Sequence, residues 1–174
     1  DPGKGIVSGL FSSFYYLFTN RNQSSMEYSI RNCELADLPK LVLLCQKHAA
    51  FEKADFSIAG NEEALKKALF SEKQRLNCLV VATTDTIVGY ASYTFDYSTW
   101  DAADFMYMDC LFLEEEVRSF GIGELLIDRL KQIAVEKECA NIQWQTPQFN
   151  ERAIKFYNRI GAKGKDKVRF TLPL

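Results

Sequence analysis

Two glycines, Gly121 and Gly123, stand one residue apart in the run VRSFGIGELL, directly before the most regular helical pattern of the chain. The first turn of a helix carries unpaired N–H groups, and the helix dipole adds positive potential there. Glycine lets a ligand come close to this backbone, and Arg118 can add a charge-assisted contact. The residue types therefore favour a bound phosphate. A glycine turn that only starts the helix is the alternative that the spacing leaves open.

The known phosphate-binding patterns narrow the choice of ligand. A P-loop requires G-K-[ST], which does not follow these glycines. The dinucleotide fingerprint requires a third glycine where Leu126 stands, and an acidic residue at the end of the next strand, where Gln145 stands. The sequence therefore favours a pyrophosphate carrier of another kind.

Two further side chains could take part in proton transfer. Asp109 lies in the otherwise apolar run 106–113, and a buried carboxylate is costly unless it is paired or functional. Tyr157 falls on the inward stripe of the last helix, so its hydroxyl needs a partner. On the residues alone, Tyr157 is more readily a core tyrosine bonded to a carbonyl. The structural alternative for Asp109 is a buried aspartate that accepts a hydrogen bond from a backbone N–H.

Hydrophobic periodicity predicts the elements that must position these residues. The order is β-α-α-β-β-β-α-β-α-β, and the unit over 105–145 should pair its strands in parallel. The predicted fold class is α/β, with a mixed, mostly antiparallel sheet and helices on both faces. The predicted strands are 28–31, 77–83, 87–95, 105–113, 142–145 and 168–172, and the predicted helices begin after Asp37, Asn61, Gly121 and Asn150.

Bulk composition excludes several classes of function. The net charge of -2 over 174 residues provides no basic surface for nucleic acid. The five cysteines form no CxxC pair, which indicates neither a zinc site nor a disulfide framework and favours a reducing, cytoplasmic setting. The single histidine, His48, excludes metal sites that need several imidazoles, so no metal is expected.

The chain is expected to divide near residue 25. Residues 1–25 are interpreted as an N-terminal appendage of unassigned role, and residues 26–174 as a single domain. The apolar run from Gly5 to Phe18 is too short to span a bilayer, so no membrane partner is expected.

Two motifs carry a resemblance to a known family. R-S-F-G-I-G (118–123) resembles the R/Q-x-x-G-x-G/A signature of the GNAT superfamily, the acetyl-CoA-dependent N-acyltransferases. NERAIKFYNRIGAK (150–163) resembles the downstream motif of that family, at the expected distance. The resemblance implies the GNAT fold, with a parallel strand pair at the coenzyme A site and acetyl-CoA as cofactor.

The sequence is also similar to one branch, the spermidine/spermine and thialysine N-acetyltransferases. NCLVVATTDTIVGYASYTFDYSTW (77–100), MYMDCLFL (106–113) and HAAFEKAD (48–55) carry this similarity. The branch implies a homodimer. It also implies transfer of an acetyl group to a primary amine of a polyamine, diamine or lysine-like molecule, by direct attack in a ternary complex. A peptide or protein amine as acceptor, and a non-catalytic acyl-CoA-binding module, are the alternatives.

The resemblance also implies roles for individual residues. Tyr157 matches the tyrosine that protonates the departing thiolate. Asp109 stands where the branch has a glutamate that handles the amine; it is one methylene shorter, and Cys110 replaces a second carboxylate, which bears on substrate preference. The implied cofactor contacts are Leu111, Phe112, Leu113, Arg118, Ser119, Phe120, Gly121, Ile122, Gly123, Glu124, Asn150 and Arg159, with the N–H groups of 111–113 as oxyanion donors. The implied substrate contacts are Phe51, Glu52, Trp100, Gln143, Trp144 and Gln145. Trp100 could equally cover the core.

Overall fold

The computed structural model describes residues 6–7, 14–20 and 23–174, with side chains from residue 27 onward. Residues 1–144 and residues 145–174 form two compact units. The first contains the sheet and three helices, and the second contains one helix.

The described strands of the first unit form one sheet in sequence order. Neighbouring strands are antiparallel except for the last pair, in which Met106 and Tyr107 lie parallel to Ile142 and Gln143. The predicted mixed, mostly antiparallel sheet with one parallel pair is confirmed. The strands are β1 (Ile6–Val7), β2 (Phe14–Asn20), β3 (Gln23–Asn32), β4 (Asn77–Ala82), β5 (Ile87–Ser98), β6 (Ala103–Leu113) and β7 (Ile142–Gln143).

Helices cover both faces of this sheet. In the first unit these helices are α1 (Leu38–Glu52), α2 (Ile58–Phe70) and α3 (Ile122–Glu136). The second unit contains α4 (Glu151–Arg159). One core cluster joins α1 and α2 to Val80, Tyr90 and Phe112, and it contains none of the buried residues of α3. Because strand side chains alternate between faces, α3 covers the opposite face, where it packs on β6. The helical spacing that predicted α3 is confirmed by its buried stripe of Ile122, Leu126, Leu130, Ile133 and Ala134.

A close approach of β5 to β6 positions the end of β6. A Cβ atom added at Gly89 would meet the side chain of Leu113 and lie 2.8 Å from the carbonyl oxygen of Phe112. Only glycine therefore allows the two strands to pair at this point.

The N-terminal segment contributes strands to the sheet. β3 begins at Gln23 and pairs with β2, and β2 pairs with β1. The other residues of the first 25, which carry part of the predicted appendage, lie outside the described residues. The division at residue 25 stays a prediction.

Two predicted elements differ from the structure. The predicted strand at 168–172 is wrong, because residues 162–174 form neither helix nor strand. Val168, Phe170 and Leu172 are exposed, and an alternating pattern forms a strand only where a partner edge accepts its hydrogen bonds. The helix assigned to α2 starts at Ile58, but Gly60 has φ of +89° and interrupts it. The regular part of α2 thus begins beside Asn61, where the sequence placed its cap.

Candidate active site

The loop between β6 and α3 has two residues in the left-handed region. Ser119 has φ of +72° and Gly121 has φ of +79°. Glycine adopts this conformation freely, whereas Ser119 is held there at a cost of about 1–2 kcal/mol. Alternating backbone conformations of this kind turn successive N–H groups toward one concave side.

This loop leaves backbone donors unused. The N–H groups of Glu124 and Leu125 both donate to the carbonyl oxygen of Gly121, which is the N-cap of α3. In the part of the chain that the structure describes, four successive N–H groups have no acceptor: those of Phe120, Gly121, Ile122 and Gly123. We call these four groups the amide cradle. Four donors at the start of a 15-residue helix suit an anion such as a phosphate.

Arg118 stands beside the amide cradle. Its Nε donates to the carbonyl oxygen of Leu113 at 2.8 Å. Its guanidinium lies 5.8 Å from the ring centre of Phe51 and 5.5 Å from that of Phe112. Among the described residues no carboxylate pairs with it. Its positive charge therefore adds to the potential at the cradle.

The far edge of β6 is free beyond its short pairing with β7. The last paired residue on that edge is Tyr107, among the described strands. The N–H of Glu114 donates to Val88, so by alternation Leu111 and Leu113 direct their backbone groups away from β5. Leu111 and Leu113 thus present N–H groups on the free edge, whereas the backbone of Phe112 faces β5. Of the predicted trio, Phe112 contributes its ring rather than its amide.

A β-bulge determines where Asp109 points. Ser92 pairs with Cys110 and Tyr93 pairs with Met108, so Asp109 is the extra residue on β6. The expectation that Asp109 is buried is wrong, because its side chain is exposed. A bulge re-aims a side chain, which is how a carboxylate in an apolar strand reaches solvent. The bulge lies where β6 has already parted from β7, so Asp109 stands at the free edge.

The thiol of Cys110 lies next to this carboxylate. Its Sγ is 3.7 Å from Oδ2 of Asp109, and Tyr90 and Ser92 are also within its reach. Burial and the charge of Asp109 raise the pKa of Cys110 to about 12. Cys110 is therefore a neutral thiol at physiological pH.

His48 joins the site, although the sequence reasoning did not select it as a site residue. Its Nε2 lies 3.3 Å from Oε1 of Glu52, and its Nδ1 lies 3.1 Å from Oη of Tyr90. Its ring is stacked on Phe112 with centroids 5.3 Å apart. Burial lowers the pKa of His48, while Glu52 and Asp109 act against that change. The spacing of His48 and Glu52 by four residues on one helix was the signal that could have revealed this pair.

The remaining predicted residues of the first unit differ in their exposure. Phe51 is exposed beside Arg118, and Trp144 is half-buried. Gln143 is exposed in β7 and donates to Oδ1 of Asn141 at 3.0 Å. Trp100 is 96% exposed in the turn between β5 and β6, so the alternative that it covers the core is wrong. In the loop itself, Ser119 and Glu124 expose their side chains, and Phe120 is half-buried.

The second unit holds the rest of the predicted residues. Oδ1 of Asn150 accepts from the N–H of Ala153 at 3.2 Å, which confirms the predicted cap of α4 and engages that oxygen. Arg159 lies over Phe156 at 5.6 Å, and Gln145 is exposed. Tyr157 is half-buried with its ring 5.3 Å from Phe156. Its role as general acid stays a prediction.

No helix among the described residues is long and apolar enough to cross a membrane. No group of three or more His, Cys, Asp or Glu among them could hold a metal ion.

Known proteins resemble this chain in sequence and in fold. Thialysine N-epsilon-acetyltransferase of Bos taurus is 29% identical over 142 residues, which cover 77% of this chain and 83% of that protein. Spermidine/spermine N(1)-acetyltransferase-like protein 1 of Homo sapiens is 27% identical over 148 residues, 80% of this chain and 21% of that protein. A crystal structure of an aminoglycoside N-acetyltransferase in complex with CoA superposes with a TM-score of 0.72 at 15% identity, over 87% of this chain and 97% of that one. The model of the acetyltransferase (GNAT) family matches residues 43–162, well over half of the chain. The protein therefore belongs to the GNAT family of N-acetyltransferases.

Proposed function

We propose that this protein uses acetyl-CoA to acetylate a primary amine of a small molecule, namely a polyamine, a diamine or a lysine-like compound. The observation that carries the proposal is the amide cradle beside Arg118, which adjoins a free strand edge and two carboxylates. Two similar proteins are named for thialysine and for spermidine/spermine acetylation, which supports a small amine as acceptor.

The cradle and the strand edge fit the two parts of coenzyme A. The unused N–H groups of residues 120–123 and the guanidinium of Arg118 suit its pyrophosphate. The N–H groups of Leu111 and Leu113 suit the amide-bearing arm, which can lie along β6 like an added strand, and they are the proposed oxyanion donors. When bound, acetyl-CoA supplies the activated acetyl group.

The carboxylates fit the amine. The charges of Asp109 and Glu52 both raise the pKa of His48, so the two carboxylates lie near the same imidazole ring. An alkylammonium with a pKa of about 10 must lose a proton before it can attack. We assign to the exposed Asp109 the removal of that proton, directly or through water, and to Glu52 and Phe51 the binding of the ammonium group. Trp100, Gln143, Trp144 and Gln145 are proposed substrate contacts that rest on the resemblance alone.

Direct attack by the amine is proposed over an acetyl-cysteine intermediate. Cys110 is the thiol beside Asp109, and burial keeps it protonated, so it is a poor nucleophile. Tyr157 is the proposed general acid for the thiolate. Asn150 and Arg159 are proposed as further cofactor contacts. We also propose a cytoplasmic homodimer, which sedimentation and fractionation can test.

The decisive experiment measures CoA release with acetyl-CoA and a panel that contains spermidine, diaminopropane, thialysine, lysine and lysine-containing peptides. Turnover of the small amines supports the proposal. Turnover of peptides alone would replace it with the peptide acetyltransferase. Calorimetric binding of CoA without turnover of any amine would indicate an acyl-CoA-binding module. Absence of CoA binding would overturn the role of the cradle.

A further inference from the structure

We propose that His48 is a positioning residue for the amine, because its Nε2–H holds the carboxylate of Glu52 where an incoming ammonium group can meet it. The contacts that carry this are the 3.3 Å approach of Nε2 to Glu52 and the burial of the imidazole, whose side chain is 12% exposed. The inference rests on the proposed function, since it describes how that site holds its substrate.

The contacts of the ring determine its tautomer. A carboxylate can only accept a hydrogen bond, so the Nε2 that faces Glu52 carries the proton. Nδ1 then accepts from the hydroxyl of Tyr90, 3.1 Å away. Burial raises the pKa of Tyr90 far above its ordinary value, so the phenol keeps the proton that it donates. The stack on Phe112 fixes the plane of the ring.

The surroundings of His48 decide its charge. The titratable and charged groups that face this cluster are Glu52 and Cys45 from α1, Tyr90 from β5, Asp109 and Cys110 from β6, and Arg118 from the loop. Burial lowers the pKa of His48, and Arg118 lowers it further, whereas Glu52 and Asp109 raise it. The net effect is a pKa below 6.5, so the ring is neutral at pH 7.

Neutrality of the ring matters for the substrate. A neutral imidazole orients Glu52 by a hydrogen bond and leaves its full negative charge for the ammonium group. As the pH falls through the pKa of His48, the ring becomes an imidazolium that pairs with Glu52 itself. We therefore expect the KM for the amine to rise at low pH while the affinity for CoA stays constant.

The first experiment reads the ring directly by NMR. The chain contains 1 histidine, so an untagged protein has a single imidazole titration curve. The midpoint is expected below the ordinary 6.5, and lower still in Glu52→Gln, since Glu52 raises the pKa. Glu63→Gln, which removes an exposed ion pair with Lys66 on α2, is the control and should leave the midpoint unchanged. An identical midpoint in the wild type and Glu52→Gln would overturn the pairing.

The second experiment separates positioning from packing by kinetics. His48→Gln can still donate to Glu52 but does not titrate, so the KM for the amine should stay near the wild-type value and lose its rise at low pH. His48→Phe keeps an aromatic ring against Phe112 but removes the donor, and the KM should increase about tenfold at nearly constant kcat. A wild-type KM in His48→Phe, or a retained rise at low pH in His48→Gln, would contradict the proposal.

Failure of the proposed function gives a different result. If no amine is acetylated, the proposed acetyltransferase function is overturned, but the positioning role of His48 is not yet decided. The positioning role is then decided by adding spermidine and following the NMR signal of His48. A shift of that signal that disappears in Glu52→Gln supports the role, and an unchanged signal overturns it.

Discussion

The two halves of the candidate site, the amide cradle and the amine side, consist of different kinds of chemical group. The amide cradle at residues 120–123 consists of backbone N–H groups at the start of α3. The amine side consists of side chains from three places in the chain, namely His48 and Glu52 on α1, Tyr90 on β5, and Asp109 on β6. The cradle depends on the conformation of its own few residues, whereas the amine side depends on how distant elements pack.

This difference predicts how each half responds to mutation. The cradle should tolerate a changed side chain but not a changed φ angle. The amine side should respond to the removal of a single carboxylate or imidazole while the backbone stays as it is.

Asp109→Asn should give the largest loss, since it removes the proposed proton acceptor and keeps the shape of the bulge. We expect kcat/KM for the amine to fall about a hundredfold, within the range for general base catalysis. CoA affinity, measured by calorimetry, should stay unchanged. Asp128→Asn, on the exposed face of α3, is the control. Equal activity of Asp109→Asn and the wild type would remove Asp109 from the mechanism.

Gly121→Ala should damage the cradle alone. A Cβ atom at Gly121 meets nothing within 4 Å, so the cost comes from the φ of +79°. We expect the Kd for CoA to rise about tenfold, as the loop relaxes out of a conformation that costs roughly 1–2 kcal/mol for alanine.

Gly60→Ala is the matched control for that variant, because Gly60 has φ of +89° and equally open surroundings. Its free energy of unfolding in urea should fall by about as much as that of Gly121→Ala, whereas its Kd for CoA should stay at the wild-type value. If both variants bound CoA alike, the cradle would not be the cofactor site.

Arg118→Lys should weaken CoA binding, because Arg118 stands between the amide cradle and the aromatic rings of the amine side. Lysine keeps the charge but loses the planar contact with Phe51 and Phe112 and the Nε bond to Leu113. We expect a severalfold higher Kd for CoA. A second variant, Arg118→Gln, removes the charge as well. In that variant alone the pKa of His48 measured by NMR should rise, because the charge of Arg118 lowers it. An unchanged Kd in both variants would place Arg118 outside the cofactor site.

Glu114→Gln should have the smallest effect. Glu114 follows β6 and pairs with Lys40 and Lys47 of α1, so it ties the end of β6 to α1. Burial raises the pKa of Glu114, but its hydrogen bonds and charge pairs with the lysines outweigh this, so the folded-state pKa lies below 4.5. A carboxyl whose pKa is lowered in the folded state stabilises the fold at pH values above its ordinary pKa. This stabilisation is lost as the pH falls through the folded-state pKa.

The measurement is urea unfolding as a function of pH. Because the lysines are partly exposed, the difference between the wild type and Glu114→Gln should be under about 1 kcal/mol at pH 7. It should disappear once the pH is below the folded-state pKa. A difference that stays constant down to that pH would show that charge is not its source.

Much of the fold and the cradle followed from local pattern. The regular spacing of apolar residues predicted α3, apolar runs bounded by turns predicted β4 to β6, and Asn150 predicted the start of α4. The strand predicted at 168–172 did not form, and Val168 and Phe170 are exposed there. Pattern alone cannot distinguish these cases, because a strand forms through hydrogen bonds to residues elsewhere in the chain.

The amide cradle follows from residues that are close together in the chain. A glycine at 121 permits the left-handed turn, and the apolar stripe after it starts a helix, so the unused N–H groups follow from neighbours in the chain. The arrangement of the amine side, in contrast, depends on contacts between distant parts of the chain. The one-residue bulge that exposes Asp109 depends on the pairing of β5 with β6, and the cluster of His48, Glu52 and Tyr90 depends on α1 packing over β5. These contacts join residues that are 15 or more positions apart, and their register is a property of the packed molecule.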